Sequence, residues 1–249
     1  MTPPDLDRTS ALFLDVDGTL LEIAARPELV VVPPELPTLL GRLYRQLGGA
    51  LAIVSGRSLA DIDRLLDPFH SSAAGEHGVA VRFIDGKIEE QPAVLSVPQV
   101  LRDELVHAVE GWAGVEIESK PHGVTLHYRL APERGDEVWK LARSFVPDDD
   151  PHFRLLPARL AVEIGVRAVS KGTAVERLMK QPTFNGRRPI FVGDDFTDEA
   201  GMSTARDMGG VGLRVGEVFG GQPAQVRAWL HRVAEHLTGL ETQAAEAGR

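Results

Sequence analysis

A chain of 249 residues with 43% hydrophobic and 25% charged side chains has enough apolar material for one large domain or two modest ones. It has no cysteine, which excludes disulfides, thiolate metal sites and thiol catalysis and fits a reducing, cytoplasmic setting. The net charge of −9 argues against a nucleic-acid partner, and no apolar run approaches the ~20 residues of a membrane helix. Residues 1–7 carry neither a basic nor an apolar leader pattern, so no signal peptide is expected.

In chain order, the apolar run Ala11–Leu14 reads as a buried strand that stops at Asp15. Residues 34–47 read as a helix, with apolar positions Leu36, Leu39, Leu40, Leu43 and Leu47, Pro34 in the first turn and Gly48-Gly49 at the exit. Leu51–Val54 is a second strand, ending at Ser55. Ser58 then caps a helix over Leu59–Leu66. A helical pattern spans about 97–112, followed by alternating stretches at 115–118 and 123–129, a helix over 133–146 and a strand over 160–164. Ser170 caps a helix reaching about Met179, and Pro189–Val192 is a strand ending at Gly193-Asp194-Asp195. The Ala/Glu-rich tail after Leu240 is expected to fray.

Strands alternating with helices indicate a Rossmann-like, doubly wound parallel α/β sheet. The α-β-β-α-β order in the middle indicates an inserted α+β cap. The expected division is a core of residues 1–95 and 168–249 and a cap of residues 96–167, with hinges near Pro92–Pro98 and Gly165–Ser170.

Ligands of open α/β sheets sit beyond the carboxyl ends of the strands. Asp15, Asp17, Ser55, Asp194 and Asp195 should therefore share one crevice. Asp-x-Asp-Gly-Thr alone is a turn signal. Paired carboxylates after two strands would repel one another without a cation, however, and hard oxygen ligands point to Mg²⁺. Alone, Ser55 could simply close its strand and Lys171 could be a surface lysine. Arg57 fits a phosphate or substrate contact and an ordinary surface arginine equally well. Asp148-Asp149-Asp150 lacks the spacing of a calcium loop and reads as a solvated turn.

Asp15-Val16-Asp17-Gly18-Thr19, Ser55, Lys171 and Gly193-Asp194-Asp195 with Asp198 resemble, in order, the four motifs of the haloacid dehalogenase-like phosphatases. The resemblance implies that Asp15 is a nucleophile forming an aspartyl-phosphate and Asp17 an acid/base. It implies that Ser55 donates to a phosphate oxygen and Lys171 neutralises charge. Mg²⁺ would be held by the Asp15 carboxylate, the Asp17 carbonyl and Asp194, with Asp195 or Asp198 acting directly or through water.

Further runs resemble the trehalose-6-phosphate phosphatase family: Ser55-Gly56-Arg57-Ser58, Gly75-Glu76-His77-Gly78, Glu118-Ser119-Lys120, Leu126-His127-Tyr128-Arg129, Val162-Glu163-Ile164, Ser170-Lys171-Gly172 and Gly193–Glu199. That family implies that Glu118, Lys120 and Glu163 reach sugar hydroxyls from the cap, with Arg129 near substrate or the cap–core boundary. Alternation alone leaves Glu118 and Glu163 on the wet face of the cap sheet. Glu76 receives no role, and His77 is expected to shape its loop.

The expected reaction is hydrolysis of trehalose 6-phosphate to trehalose and phosphate, with a functional link to a separate trehalose-6-phosphate synthase. The alternatives are a sister phosphatase for glycosylglycerate phosphate or sucrose phosphate, a phosphomutase, and a silent sugar-phosphate-binding regulator.

Overall fold

Residues Ser10–Leu14 (β1) are buried at every position, as a strand covered on both faces must be. A computed structural model of the chain describes residues 2–24, 26, 29–90 and 96–247. Beside β1 lie Leu51–Val54 (β2), Ser72–Gly75 (β3), Arg188–Gly193 (β10) and Val211–Arg214 (β11), all parallel. Ala80–Arg82 (β4) and Ile88–Glu90 (β5) extend the sheet antiparallel, giving the seven-stranded order β11-β10-β1-β2-β3-β4-β5.

The two-residue period of a strand sorts the core into two layers. Leu12, Leu14, Leu51, Ile53, Ile190 and Val192 pack with helices Leu36–Gln46 (α1), Leu59–Leu66 (α2) and Pro223–Ala247 (α8). Ala11, Phe13, Ala52, Val54 and Phe191 face the other way, onto helices Lys171–Met179 (α5) and Asp198–Asp207 (α6). Helices on both faces of a mostly parallel sheet make the doubly wound architecture.

A second sheet is built from Glu116–Ser119 (β6), Val124–His127 (β7), Phe153–Ala158 (β8) and Ala161–Val166 (β9), in the antiparallel order β6-β7-β9-β8. Gln99–Ala108 (α3) and Gly135–Phe145 (α4) cover one face, where Leu105, Val138 and Ala142 meet Val124, Leu126, Val162 and Ile164. The opposite face looks toward the core. The last helix of the chain apart from α8 is the short turn Val215–Val218 (α7).

The structure adjusts several expectations. Helix α1 starts at Leu36, so the proline in its first turn is Pro37, not Pro34. Strand β8 goes beyond the expected elements, because Pro157 and the lack of alternation in Phe153–Ala158 hide it in the sequence. As an edge strand it tolerates proline. Strands β3, β4, β5 and β11 are short, and Ser72-Ala73-Ala74-Gly75 has little strand propensity of its own. The tail is helical through Ala247 instead of fraying after Leu240. Of the expected hinges, Pro92 lies outside the described residues. In the other, β9 continues to Val166, leaving residues 167–170 as the link to α5. No helix among the described residues is long and apolar enough to cross a membrane.

Candidate active site

The carboxyl ends of β1, β2 and β10 deliver the acidic and polar groups to one place. Asp15 directly follows β1; its amide donates to Val192 O of β10 at 3.1 Å. Its buried carboxylate accepts from Lys171 Nζ at 2.7 Å through Oδ1, and from Thr19 Oγ1 at 3.2 Å through Oδ2. Lys171 Nζ also donates to Asp198 Oδ1 at 2.6 Å. Lys171 is the first residue of α5, whose start is fixed by a capping box between Ser170 and Thr173. The turn after Asp15 needs glycine: Gly18 has φ +77°, and a Cβ there would lie 2.1 Å from Asp194 Oδ2.

Asp198 opens α6, and its Oδ2 accepts from the amides of Asp194 and Asp195 at 3.0 and 3.1 Å. Gly193 permits this closeness, since a Cβ there would sit 2.3 Å from the Asp198 carboxyl carbon. Asp195 Oδ1 accepts from Thr197 N and Oγ1 at 2.8 and 2.7 Å. Ser55 is buried, and its Oγ accepts from Arg57 N at 3.2 Å. Arg57 holds Asp17 in a bidentate pair, each bond 2.6 Å.

Asp15, Asp194 and Asp198 present oxygens within 4.8 Å of one another. Burial first, and then the Asp198 charge, push the Asp15 carboxyl well up, against the pull of Lys171. Burial, then Asp195 and Asp198, raise Asp194 to about 7. For Lys171, burial opposes the charged form, but Asp15 and Asp198 outweigh it and hold the ammonium well above its ordinary range. With Lys171 and Arg57 already engaged, the cluster is short of positive charge. A hard divalent cation fits that deficit and an all-oxygen donor set. Asp198 already uses both oxygens in holding Lys171 and the Asp194–Asp195 backbone, which makes it a scaffold for the other carboxylates.

The cap closes a cavity of about 120 Å³ over these groups. The cap-sheet register aligns Glu118 with Thr125 and Thr125 with Glu163, so β6, β7 and β9 present a polar row to the cavity. Glu163 is only 6% exposed, so this face is covered by the core instead of being wet. Lys120 Nζ donates to Glu163 Oε2 at 2.6 Å and to Gly56 O of the core at 3.0 Å. Burial alone would raise Glu163, but Lys120 and then His77 outweigh it and hold the carboxyl below the usual carboxylate range. Glu118 Oε2 meets His127 Nε2 at 2.8 Å. Arg129 donates to Ala24 O of the core at 2.7 Å and to Arg159 O at 3.2 Å.

Asp15, Asp17, Ser55, Arg57, Glu118, Lys120, Arg129, Glu163, Lys171, Asp194 and Asp195 all line this one cavity; Asp198 lies directly behind it. His77 does more than shape its loop: it lines the cavity, its Nε2 3.3 Å from Glu163 Oε1. Thr125 and His127 also line it and were not singled out from sequence. The alternation of β7 could have found them, because both share the face of Glu163.

Gly18→Ala should displace the Asp194 carboxylate. Turnover is expected to fall at least ~100-fold from misplacement alone, and stability by about 1–3 kcal/mol from the imposed backbone conformation. Steady-state kinetics and a thermal melt check both.

This architecture, a doubly wound core with a second sheet inserted over it, is shared by a Bacteroides thetaiotaomicron protein of the haloalkanoate (HAD) phosphatase superfamily, which superposes with a TM-score of 0.50 at 16% identity over 78% of this chain and 81% of that one. The trehalose-phosphatase family model matches residues 13–228, and the chain belongs to that family. It is 43% identical over 212 residues to a probable trehalose-phosphate phosphatase of Sinorhizobium fredii, covering 85% of this chain and 79% of that one. It is 36% identical over 213 residues to the trehalose-6-phosphate phosphatase of Escherichia coli, covering 86% and 80%. The C-terminal domain of the Candida albicans trehalose-6-phosphate phosphatase superposes with a TM-score of 0.78 at 20% identity, over 92% of this chain and 93% of that one.

Proposed function

We infer that the chain hydrolyses trehalose 6-phosphate to trehalose and inorganic phosphate, using Asp15 as nucleophile. The observation that carries this reading is the opposition of two sets of groups across one cavity. Asp15, Lys171 and Asp194 lie at the core end, and the Glu118–Thr125–Glu163 row lies at the cap end. The first set suits a phosphoryl group. The second suits neighbouring sugar hydroxyls, since each carboxylate accepts several hydrogen bonds and Lys120 donates others. Family membership and the relatives' names support the same substrate. We take residues 96–167 as the cap, and the apolar cluster between its sheet and helices supports that division. A separate synthase making the sugar phosphate would act upstream.

In the proposed mechanism an Asp15 oxygen attacks phosphorus and the bond to the sugar oxygen breaks, giving a phosphoryl-Asp15. Lys171, 2.7 Å from Asp15 Oδ1, neutralises the negative charge that the carboxylate and the phosphoryl oxygens bring together. Ser55 turns its hydroxyl to a phosphoryl oxygen. Asp17 passes a proton to the leaving oxygen, and Arg57, bound to both its carboxylate oxygens, neutralises the charge left behind. Asp17 then takes a proton from the water that attacks phosphorus, and Asp15 is released unchanged. Asp15 and Asp194, with the Asp17 carbonyl, would hold a Mg²⁺ ion, with Asp195 and Asp198 behind them. When bound, that ion would shield Asp15 from the negative charge of the phosphoryl group. The cap excludes bulk water from the acyl phosphate.

Phosphate release from a panel of sugar phosphates tests the reading. Trehalose 6-phosphate should give the highest kcat/KM, chelation should abolish turnover, and added Mg²⁺ should restore it. A better glycosylglycerate or sucrose phosphate substrate would overturn the substrate assignment, and chelator-insensitive turnover would overturn the metal.

A further inference from the structure

Lys120 can serve the cavity only if the tight turn between β6 and β7, residues Lys120 to Gly123, is held in place. The cap grips that turn from behind. Arg102 of α3, 7% exposed, donates to Lys120 O at 2.8 Å, Gly123 O at 3.0 Å, Pro121 O at 3.3 Å and Val97 O at 3.0 Å. An arginine spending its donors on carbonyls instead of a carboxylate is a brace for backbone.

The core grips the same turn from in front. Glu76 Oε2 accepts from His122 N at 2.8 Å, and Glu76 Oε1 meets His122 Nδ1 at 3.0 Å. Glu76 is only 6% exposed and sits with His77 in the left-handed region, at φ +46° and +58°. Two adjacent non-glycine residues hold that conformation only where the surroundings impose it. Here the imposing contacts run to the phosphate end: Glu76 N donates to Arg57 O at 2.9 Å and His77 N to Ser55 O at 3.0 Å.

One strained loop therefore ties the groups that face the phosphate to the turn that carries Lys120. We propose that the Glu76–His122 pair is a positioning latch that sets the cap on the core in the register needed for sugar recognition. Glu76 touches neither the carboxylate cluster nor the sugar row; it acts through His122 and Lys120. This proposal rests on the sugar-phosphatase reading above, and it assigns specificity to a residue outside the sugar-contacting set.

The test compares wild type, Glu76→Ala, Glu76→Gln and His122→Ala on trehalose 6-phosphate and on p-nitrophenyl phosphate, which offers no sugar to recognise. For Glu76→Ala we expect kcat/KM on the sugar phosphate to fall ~10- to 30-fold, mostly through KM, the scale of a lost charge-assisted hydrogen bond. The aryl phosphate should be hydrolysed within about twofold of wild type. Glu76→Gln, which can still accept from His122 N, should recover most of the loss. His122→Ala removes a side chain that is 13% exposed but keeps the bond from His122 N to Glu76, so it should reproduce the KM effect with the fold intact. Equal losses on both substrates would show a merely structural role and overturn the latch, as would unchanged sugar-phosphate kinetics in Glu76→Ala and His122→Ala. If wild type prefers another sugar phosphate, the substrate assignment fails, and the same split measured on the preferred ester still decides the latch.

Discussion

Asp15→Asn is expected to lower turnover of trehalose 6-phosphate by ~10⁴-fold or more, equivalent to ~5.5 kcal/mol of transition-state stabilisation. The amide retains the shape of the carboxylate but is too weak a nucleophile to take the phosphoryl group. The fold should survive. The asparagine Oδ1 can still accept from Lys171 Nζ, and the substitution removes one member of a crowded carboxylate group. Burial and Asp198 already disfavour the ionised form of Asp15, so a neutral residue relieves repulsion in the metal-free protein. Its melting temperature without Mg²⁺ should therefore equal or exceed that of wild type, while Mg²⁺ should raise it less. A variant that unfolds, or one that turns over at the wild-type rate, would contradict this account of the site.

Lys120→Met should do the opposite, damaging stability as well as recognition. Lys120 and Glu163 side chains are 9% and 8% exposed, and removing the cation leaves a carboxylate buried without its main partner. Breaking a buried pair in this way costs about 3–5 kcal/mol. We expect the lower end, because His77 Nε2 remains 3.3 Å from Glu163. The sign with pH follows. In wild type the Glu163 pKa lies below its ordinary 4.5, so the pair's contribution is full above that value and lost as pH falls through the lower folded pKa. In the variant, burial instead penalises the ionised carboxylate. The stability gap should thus be widest near neutrality and narrow on acidification, as denaturant melts across pH can measure. Glu163→Gln added to Lys120→Met should restore stability but not kcat/KM for the sugar phosphate. Recovery of both would place sugar recognition elsewhere.

The two ends of this cavity differed in how readily they could be read from sequence, for a physical reason. The core chemistry sits where apolar runs stop, and a strand end in a parallel sheet has only one crevice to face. Asp15, Ser55 and Asp194 could therefore be gathered without coordinates. The strands that carry them are long enough and apolar enough to announce themselves. Strand β3 is as long as β2 but lacks its large apolar side chains: Ser72-Ala73-Ala74-Gly75 is held as a strand by its pairing with β2 and β4.

The cap was harder, because alternation places Glu118 and Glu163 on one face without saying what covers it. That depends on the core. The same limit hid Glu76, whose role exists only through His122, which lies 46 positions along the chain in the turn between β6 and β7. It also hid the pairing of Asp17 with Arg57, 40 positions apart. Motif order identified residue types, but pairwise contacts between distant segments required the fold.

The central claim, that Asp15 carries the phosphoryl group, is tested most directly by rapid quench of the Asp17→Asn variant with p-nitrophenyl phosphate, whose leaving group needs no proton from Asp17, so that only attack of water on the acyl phosphate is slowed. Borohydride reduction and peptide mass analysis then read the acyl phosphate as homoserine. The account predicts homoserine at position 15, appearing before phosphate release. Single-turnover phosphate release with residue 15 still aspartate throughout, or the phosphoryl group on another side chain, would contradict it.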